Sequence, residues 1–206
     1  MLSHVGHPGL VSDKVEARAY QLKAVDDALA GSTLLILPTA AGKTAVAWMS
    51  IVERMERAGG WALVIAPTVA LSNQHLENAI PILSKSKEWN PIVLSGQKTA
   101  SKRPELWSGS RLVFATPQVV RNDVENGVLS LQDCCLLVVD EAHHCTGEHA
   151  MAEVAEMYLS QSKKPLILAT TAGPGSRKEQ VHEICRRLEI QNLSLIHISE
   201  PTRLRR

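Results

Sequence analysis

Residues 33–44 read TLLILPTAAGKT: a five-residue apolar run, a short loop, then Gly42-Lys43-Thr44. An apolar run this short has the length of a buried strand. The next stretch, 43–58, has helical periodicity and stops at Gly59-Gly60. A GKT triplet between a strand and a helix is the end of a phosphate-binding Walker A loop. Backbone N–H groups of such a loop, and the start of its helix, face phosphates. Lys43 would reach the β- and γ-phosphates, and the Thr44 hydroxyl would ligate Mg2+. Gly42 lets the backbone approach closely. The strict pattern has another glycine at position 37, where this chain has Leu37. On these residues alone, a helix start that merely contains GKT stays open.

The same alternation extends in both directions. Residues 16–30 space Ala19, Leu22, Val25 and Leu29 as one helix face, stopped by Gly31. Strands are predicted at 61–66, 91–94, 111–115, 135–139 and 166–169. Helices are predicted at 70–80, 117–126, 148–160 and 177–188. Apolar strands separated by helices imply an α/β fold, with a central, mainly parallel sheet and helices on both faces. The stretch 84–110, rich in Ser and Lys, is the most polar and is expected at the surface.

A second half-site lies about one hundred residues on. Residues 136–144 read LLVVDEAHH, an apolar strand ending in Asp140-Glu141, the Walker B arrangement. Asp140 would emerge at the carboxyl end of a strand, where α/β sheets bind ligands. It would hold Mg2+, and Glu141 would polarise an attacking water. A lone Asp-Glu is better explained by an acidic helix cap, but two half-sites after two buried strands would open on one edge of one sheet.

Composition sets the class. The chain has 206 residues, 45% hydrophobic and 21% charged, with net charge +1, so charge alone makes no case for a nucleic-acid binder. The apolar runs are too short to span a membrane, and residues 1–14, MLSHVGHPGLVSDK, lack a basic region followed by an apolar one, so no secretory signal is expected there. Cys134, Cys135, Cys145 and Cys185 form no CxxC pair, which fits a reducing cytoplasmic location. His143, His144, Cys145 and His149 are dense enough to suggest a metal, but they match no zinc spacing. Trp89 and Trp107 are either base-stacking platforms or packing anchors, and isolated Trp residues in a polar stretch favour packing. Lys85, Lys87, Lys98, Lys102 and Arg103 read as a solvated face.

Asp140-Glu141-Ala142-His143 resembles motif II of superfamily-two helicases of the DEAH type, and LPTAAGKT resembles their motif I, which tolerates Leu37. The body, roughly residues 8–192, is similar to the first RecA-like domain of the archaeal Hef and Fanconi anaemia group M helicases. The resemblance implies a RecA-like P-loop NTPase domain using ATP and Mg2+ on branched, single- or double-stranded DNA. By the same resemblance Gln21 of Tyr20-Gln21 reads adenine, and Thr39, Ala41, Gly42, Lys43 and Thr44 cradle the nucleotide. Thr44 and Asp140 hold Mg2+, and Lys43, Asp140 and Glu141 are catalytic. APTVALSNQH (66–75) resembles motif Ia and implies nucleic-acid contacts from Pro67, Thr68 and Gln74. ATPQVVRND (115–123) implies contacts from Thr116, Pro117 and Gln118. TTAGPG (170–175) resembles motif III, so Thr171 and His143 would couple hydrolysis to DNA. Gly96, Arg103 and Leu106-Trp107 match the family's connector. Three positions depart from the pattern: Ala40 replaces a glycine, Val69 a lysine and Gly173 a serine.

The resemblance also implies a second RecA-like domain in cis, which this chain is expected to lack. LSLIHISEPTR, near the end, resembles translated sequencing-library adaptor, so residues 1–192 are expected to be the domain and 193–206 a non-native tail, the alternative being a real edge strand, SLIHIS, followed by a basic tail. Other readings are an RNA-directed helicase of the Dicer or RIG-I type, or a catalytically silent nucleic-acid-binding or docking module. One topological expectation separates helicases from other P-loop classes. The strand at 166–169, last of these in sequence, must lie between the strands at 33–37 and 135–139.

Overall fold

The computed structural model describes residues 3–38, 42–147, 149–173 and 178–195. A short antiparallel ribbon, β1 (Ser3–His4) and β2 (Glu16–Ala17), precedes α1 (Ala19–Ala30). Then follow β3 (Thr33–Ile36), α2 (Lys43–Ala58), β4 (Trp61–Ile65), α3 (Val69–Ala79), α4 (Ser86–Trp89) and β5 (Ile92–Leu94). The second half runs α5 (Arg103–Ser108), β6 (Leu112–Ala115), α6 (Pro117–Glu125), β7 (Cys134–Asp140), α7 (Ala150–Gln161), β8 (Ile167–Thr171), α8 (Lys178–Arg187) and β9 (Asn192–Leu195).

Strands β3 to β9 form one sheet in the order β5-β6-β4-β7-β8-β3-β9, and every pairing is parallel. β8 therefore bonds to both β3 and β7, as the helicase reading requires: Ala169 pairs with Leu34 on one side and Val139 on the other. Alternate side chains point to opposite faces of a strand, which splits the core in two. Leu35, Val64, Phe114, Val138 and Leu168 pack with α1, α2 and α3. Leu34, Leu63, Val113, Leu137, Val139 and Ala169 pack with α6, α7 and α8. Both faces are thus covered, which is why the strands read as continuous apolar runs.

Three details differ from the sequence reading. Glu16 and Ala17 pair with β1 instead of opening α1. The helix starts at Ala19 because the Gln21 side chain accepts the Arg18 N–H at 2.7 Å and closes the first turn. The stretch 84–110 is not simply surface. It folds two short helices around Trp89 and Trp107, which are 1% and 7% exposed and so serve as packing anchors. Trp107 donates its indole N–H to Asp123 at 2.8 Å. Arg103 is likewise no part of a solvated face, because it pairs with the same buried carboxylate at 2.9 Å. β9 spans Asn192–Leu195 and pairs with β3, so this edge strand lies across position 192. Its Leu193 and Leu195 lie half exposed at the sheet edge. Among the described residues no helix is long and apolar enough to cross a membrane.

Candidate nucleotide site

The strand order brings the two half-sites together. β7, β8 and β3 are neighbours and parallel, so their carboxyl ends open side by side. β7 delivers Asp140 and Glu141, β8 delivers Thr170 and Thr171, and the loop after β3 leads to Lys43 at the first turn of α2. Gly42 precedes that helix with φ +84, a conformation side chains rarely adopt, and a Cβ there would collide with the Gln21 amide. A cavity of about 190 Å3 is lined by Lys43, Thr44, Gln74, His75, Asp140, Glu141 and Thr170, with Trp48, Ile51, Val64 and Val138 as its apolar wall.

Asp140 is held on both oxygens. Its Oδ2 lies 2.8 Å from His75 Nε2, and its Oδ1 accepts from the Thr170 hydroxyl and the Glu141 N–H, each at 3.0 Å. Burial alone would raise the carboxyl pKa. The His75 and Thr170 hydrogen bonds and the Lys43 charge outweigh burial and hold it below the ordinary aspartate value. Glu141 occupies the left-handed region, φ 56 and ψ 48, rare for a non-glycine residue and a form of strain that collects at functional sites. Its carboxylate meets His143 Nδ1 at 3.2 Å and Lys43 Nζ at 3.9 Å. His143 Nδ1 also lies 3.1 Å from the Thr171 hydroxyl, and the His143 carbonyl accepts from the Gln180 side chain at 3.2 Å. The Thr171 hydroxyl turns back to donate to the Gly173 backbone carbonyl at 3.2 Å.

The remaining expected residues divide. Gln21 is buried beside the loop, its Nε2 donating to the Gly42 carbonyl at 3.4 Å. Thr68 caps α3 by accepting the Leu71 N–H at 3.2 Å. Pro67 and Thr68 after β4, and Thr116, Pro117 and Gln118 after β6, follow strands parallel to β7 and so share its carboxyl-end rim. Gln118 and Thr68 are exposed there, whereas Thr116 and Pro117 are buried. Gln74, grouped in sequence with the nucleic-acid residues, instead lines the Lys43 cavity, because that face of α3 turns toward α2. Val69 starts α3 half-buried. Thr39, Ala40 and Ala41 lie outside the described residues. His75, Thr170 and Gln180 were not singled out from sequence. The first two sit inside quoted motifs, but nothing in a linear pattern says that a helix residue 65 positions before Asp140 will touch it.

The histidine cluster is engaged elsewhere. His149 Nδ1 accepts from the Met151 N–H at 3.2 Å, and burial pushes the Cys145 thiol up to about 12. The His144 ring stands 4.3 Å from His143 and 5.4 Å from His149. Burial and the two flanking imidazoles hold its pKa down. Among the described residues, no three of His, Cys, Asp and Glu converge to hold a metal ion.

A family model described as DEAD/DEAH box helicase matches residues 18–190. The chain belongs to the DEAD/DEAH box helicase family. It is 37% identical over 191 residues to a Methanocaldococcus jannaschii protein named, provisionally, an ATP-dependent RNA helicase, covering 93% of this chain and 24% of the relative. It is 35% identical over 196 residues to the Drosophila melanogaster DEAD-box ATP-dependent DNA helicase Fancm, covering 92% of this chain and 13% of that one. The crystal structure of the Pyrococcus furiosus Hef helicase domain superposes with TM-score 0.83 at 35% identity, covering 86% of this chain and 38% of Hef's. The chain thus spans less than half the length of each of these relatives. The fold of this DEAD/DEAH chain is that of a first RecA-like helicase domain.

The Asp140 environment has a measurable signature. A carboxyl with a depressed folded pKa adds stability that is full above its unfolded pKa of about 3.9 and is lost as pH falls through the folded value. Melting curves from about pH 5 downward should therefore fall less steeply for Asp140→Asn than for the wild type below about pH 4. Parallel curves would show that Asp140 is not part of the acid transition.

Proposed function

We propose that this chain is the ATP-binding domain of an ATP-dependent DNA helicase or translocase acting on branched or forked DNA. The observation that carries the reading is the meeting of Lys43, Asp140 and Glu141 at adjoining strand ends, with Thr170 bonded to Asp140 and Thr171 to His143. The Lys43 side chain, 12% exposed, is placed to hold phosphates at the start of α2. The Thr44 hydroxyl and the Asp140 carboxylate are hard oxygen donors on one cavity, the set Mg2+ takes when phosphates and water complete its shell. ATP with Mg2+ supplies the transferable phosphoryl group and neutralises its charge. Glu141 takes the proton of the attacking water, its carboxylate steered by His143. Gln21 selects adenine beside Gly42, and Thr39, Ala41 and Gly42 belong to the phosphate loop. Pro67, Thr68, Thr116, Pro117 and Gln118 form the nucleic-acid rim, with Gln74 set back toward the nucleotide. The Thr171–His143–Glu141 contacts join that rim to the base.

In this reading residues 1–192 are the ATP-binding domain, 193–206 are added sequence, and the protein works in the cytoplasm. Among the described residues no arginine lines the Lys43 cavity. The cation that stabilises charge in phosphoryl transfer comes from a second RecA-like domain in cis. The provisional name of the M. jannaschii relative favours RNA as the second reading. The test is calorimetry of ATP-analogue binding by the 206-residue chain, then ATPase assays of a two-domain protein with forked DNA and with duplex RNA. The chain alone should bind nucleotide with negligible DNA-stimulated hydrolysis, and the two-domain protein should respond to forked DNA. Stimulation by RNA only would transfer the assignment to the RNA-directed class. Strand separation by the 206-residue chain would refute the need for a second domain.

A further inference from the structure

His75 reaches the Asp140 carboxylate from outside the residues so far given a role. Its ring is supported from behind. It stacks on Phe114 at 6.2 Å and 17°, and Phe114 in turn meets the Trp48 ring nearly edge-on at 5.9 Å. Phe114 is fully buried and Trp48 is 4% exposed, so both supports belong to the packed core. An imidazole laid on such a surface has little freedom, and its Nε2 is aimed at Asp140 Oδ2 before any ligand arrives. Thr170 and the Glu141 N–H hold the other oxygen. With donors on both oxygens, the carboxylate plane is fixed. Groups in this position behind a metal-holding carboxylate orient it, and Mg2+ is demanding of octahedral geometry.

We propose that His75 is a positioning residue, donating its ring N–H to Asp140 Oδ2 so that the carboxylate is pre-set for the Mg2+–nucleotide complex. The inference rests on the nucleotide reading above. It is not a structural role under another name, because it affects the Mg2+-dependent part of binding and leaves the metal-free part alone.

The test is calorimetry of ADP binding to the 206-residue chain, with Mg2+ and with a chelator, for wild type, His75→Ala, His75→Gln and His75→Asn. In the wild type Mg2+ should tighten ADP binding. His75→Ala should lose about tenfold of that enhancement, the low end for groups behind a metal ligand, with metal-free affinity unchanged. His75→Gln, whose amide N–H extends to the place of Nε2, should restore most of it, and the shorter His75→Asn should not. If His75→Ala does not fold, the contrast between Gln and Asn carries the test. Equal Mg2+ enhancement in all four proteins overturns the inference. So does a loss of metal-free affinity in His75→Ala that His75→Gln leaves unrepaired. A wild-type chain that binds no ADP in either condition overturns the nucleotide reading itself, a failure seen without any variant.

Discussion

Glu141→Gln is expected to cut ATP turnover of the two-domain protein by about 10²–10⁴-fold, the usual worth of a positioned general base, while leaving ATP affinity within about twofold. Glutamine keeps the size of glutamate and can hold the same left-handed backbone, so the change removes the proton acceptor and little else. The Glu141 carboxylate lies 3.9 Å from Lys43 Nζ, a loose pairing that leaves the ammonium to the phosphates. Lys43→Ala should instead weaken ATP binding itself. Losing one charged phosphate contact worth about 1.5–3 kcal/mol weakens ATP binding by roughly ten- to a hundredfold. Calorimetry and steady-state hydrolysis, measured on both variants, separate the two roles. Normal turnover in Glu141→Gln would remove Glu141 as the base.

Asp123→Ala is expected to cost about 3–5 kcal/mol of stability, the range for breaking a buried ion pair from one side. The Asp123 side chain is fully buried, accepting from Arg103 Nε and from the Trp107 indole N–H. Truncation leaves a guanidinium, 16% exposed, and a buried N–H without their acceptor. For a chain of this length the melting temperature should fall by about 6–20 °C. Asp123→Asn, which keeps an acceptor but no charge, should lose less. Replacing Arg103 and Asp123 together by Met and Leu should recover only part of the loss, because it removes the unpaired charge but still leaves the buried Trp107 N–H without its acceptor. A fall of less than about 2 °C in Asp123→Ala would contradict this account. Asp123 does not line the Lys43 cavity, so nucleotide affinity should be unchanged in any variant that folds.

The order of elements was legible because its signals are local. α2 runs from Lys43 to Ala58, the span read between the GKT triplet and Gly59-Gly60. At both ends glycine adopts a positive φ that other residues avoid. Burial on both sheet faces wrote continuous apolar runs into β3, β4 and β7, so their positions were read within about two residues. The 84–110 stretch was misread for the opposite reason. Its anchors are two tryptophans whose partners lie elsewhere in the chain, and hydropathy along a window sees only the lysines and serines around them.

The sequence by itself determined the alternation of strands and helices, the two half-sites at strand ends and the family pattern that joins them. Each rests on neighbours in the chain: a glycine's φ, an apolar period, a triplet at a helix start. The tertiary structure alone decided that Thr170 and His75 close on opposite oxygens of Asp140. It also decided that His143 spans Glu141 and Thr171, and that Gln74 faces the Lys43 cavity. The contacts of Thr170, His75 and Thr171 join residues 28 to 65 positions apart, and the placement of Gln74 depends on which face of a helix packs inward. They exist because β8 inserts between β7 and β3, and because a stacked Phe114 and Trp48 hold one imidazole in place. Side-chain direction at that range is set by packing of the whole core, which no local pattern encodes.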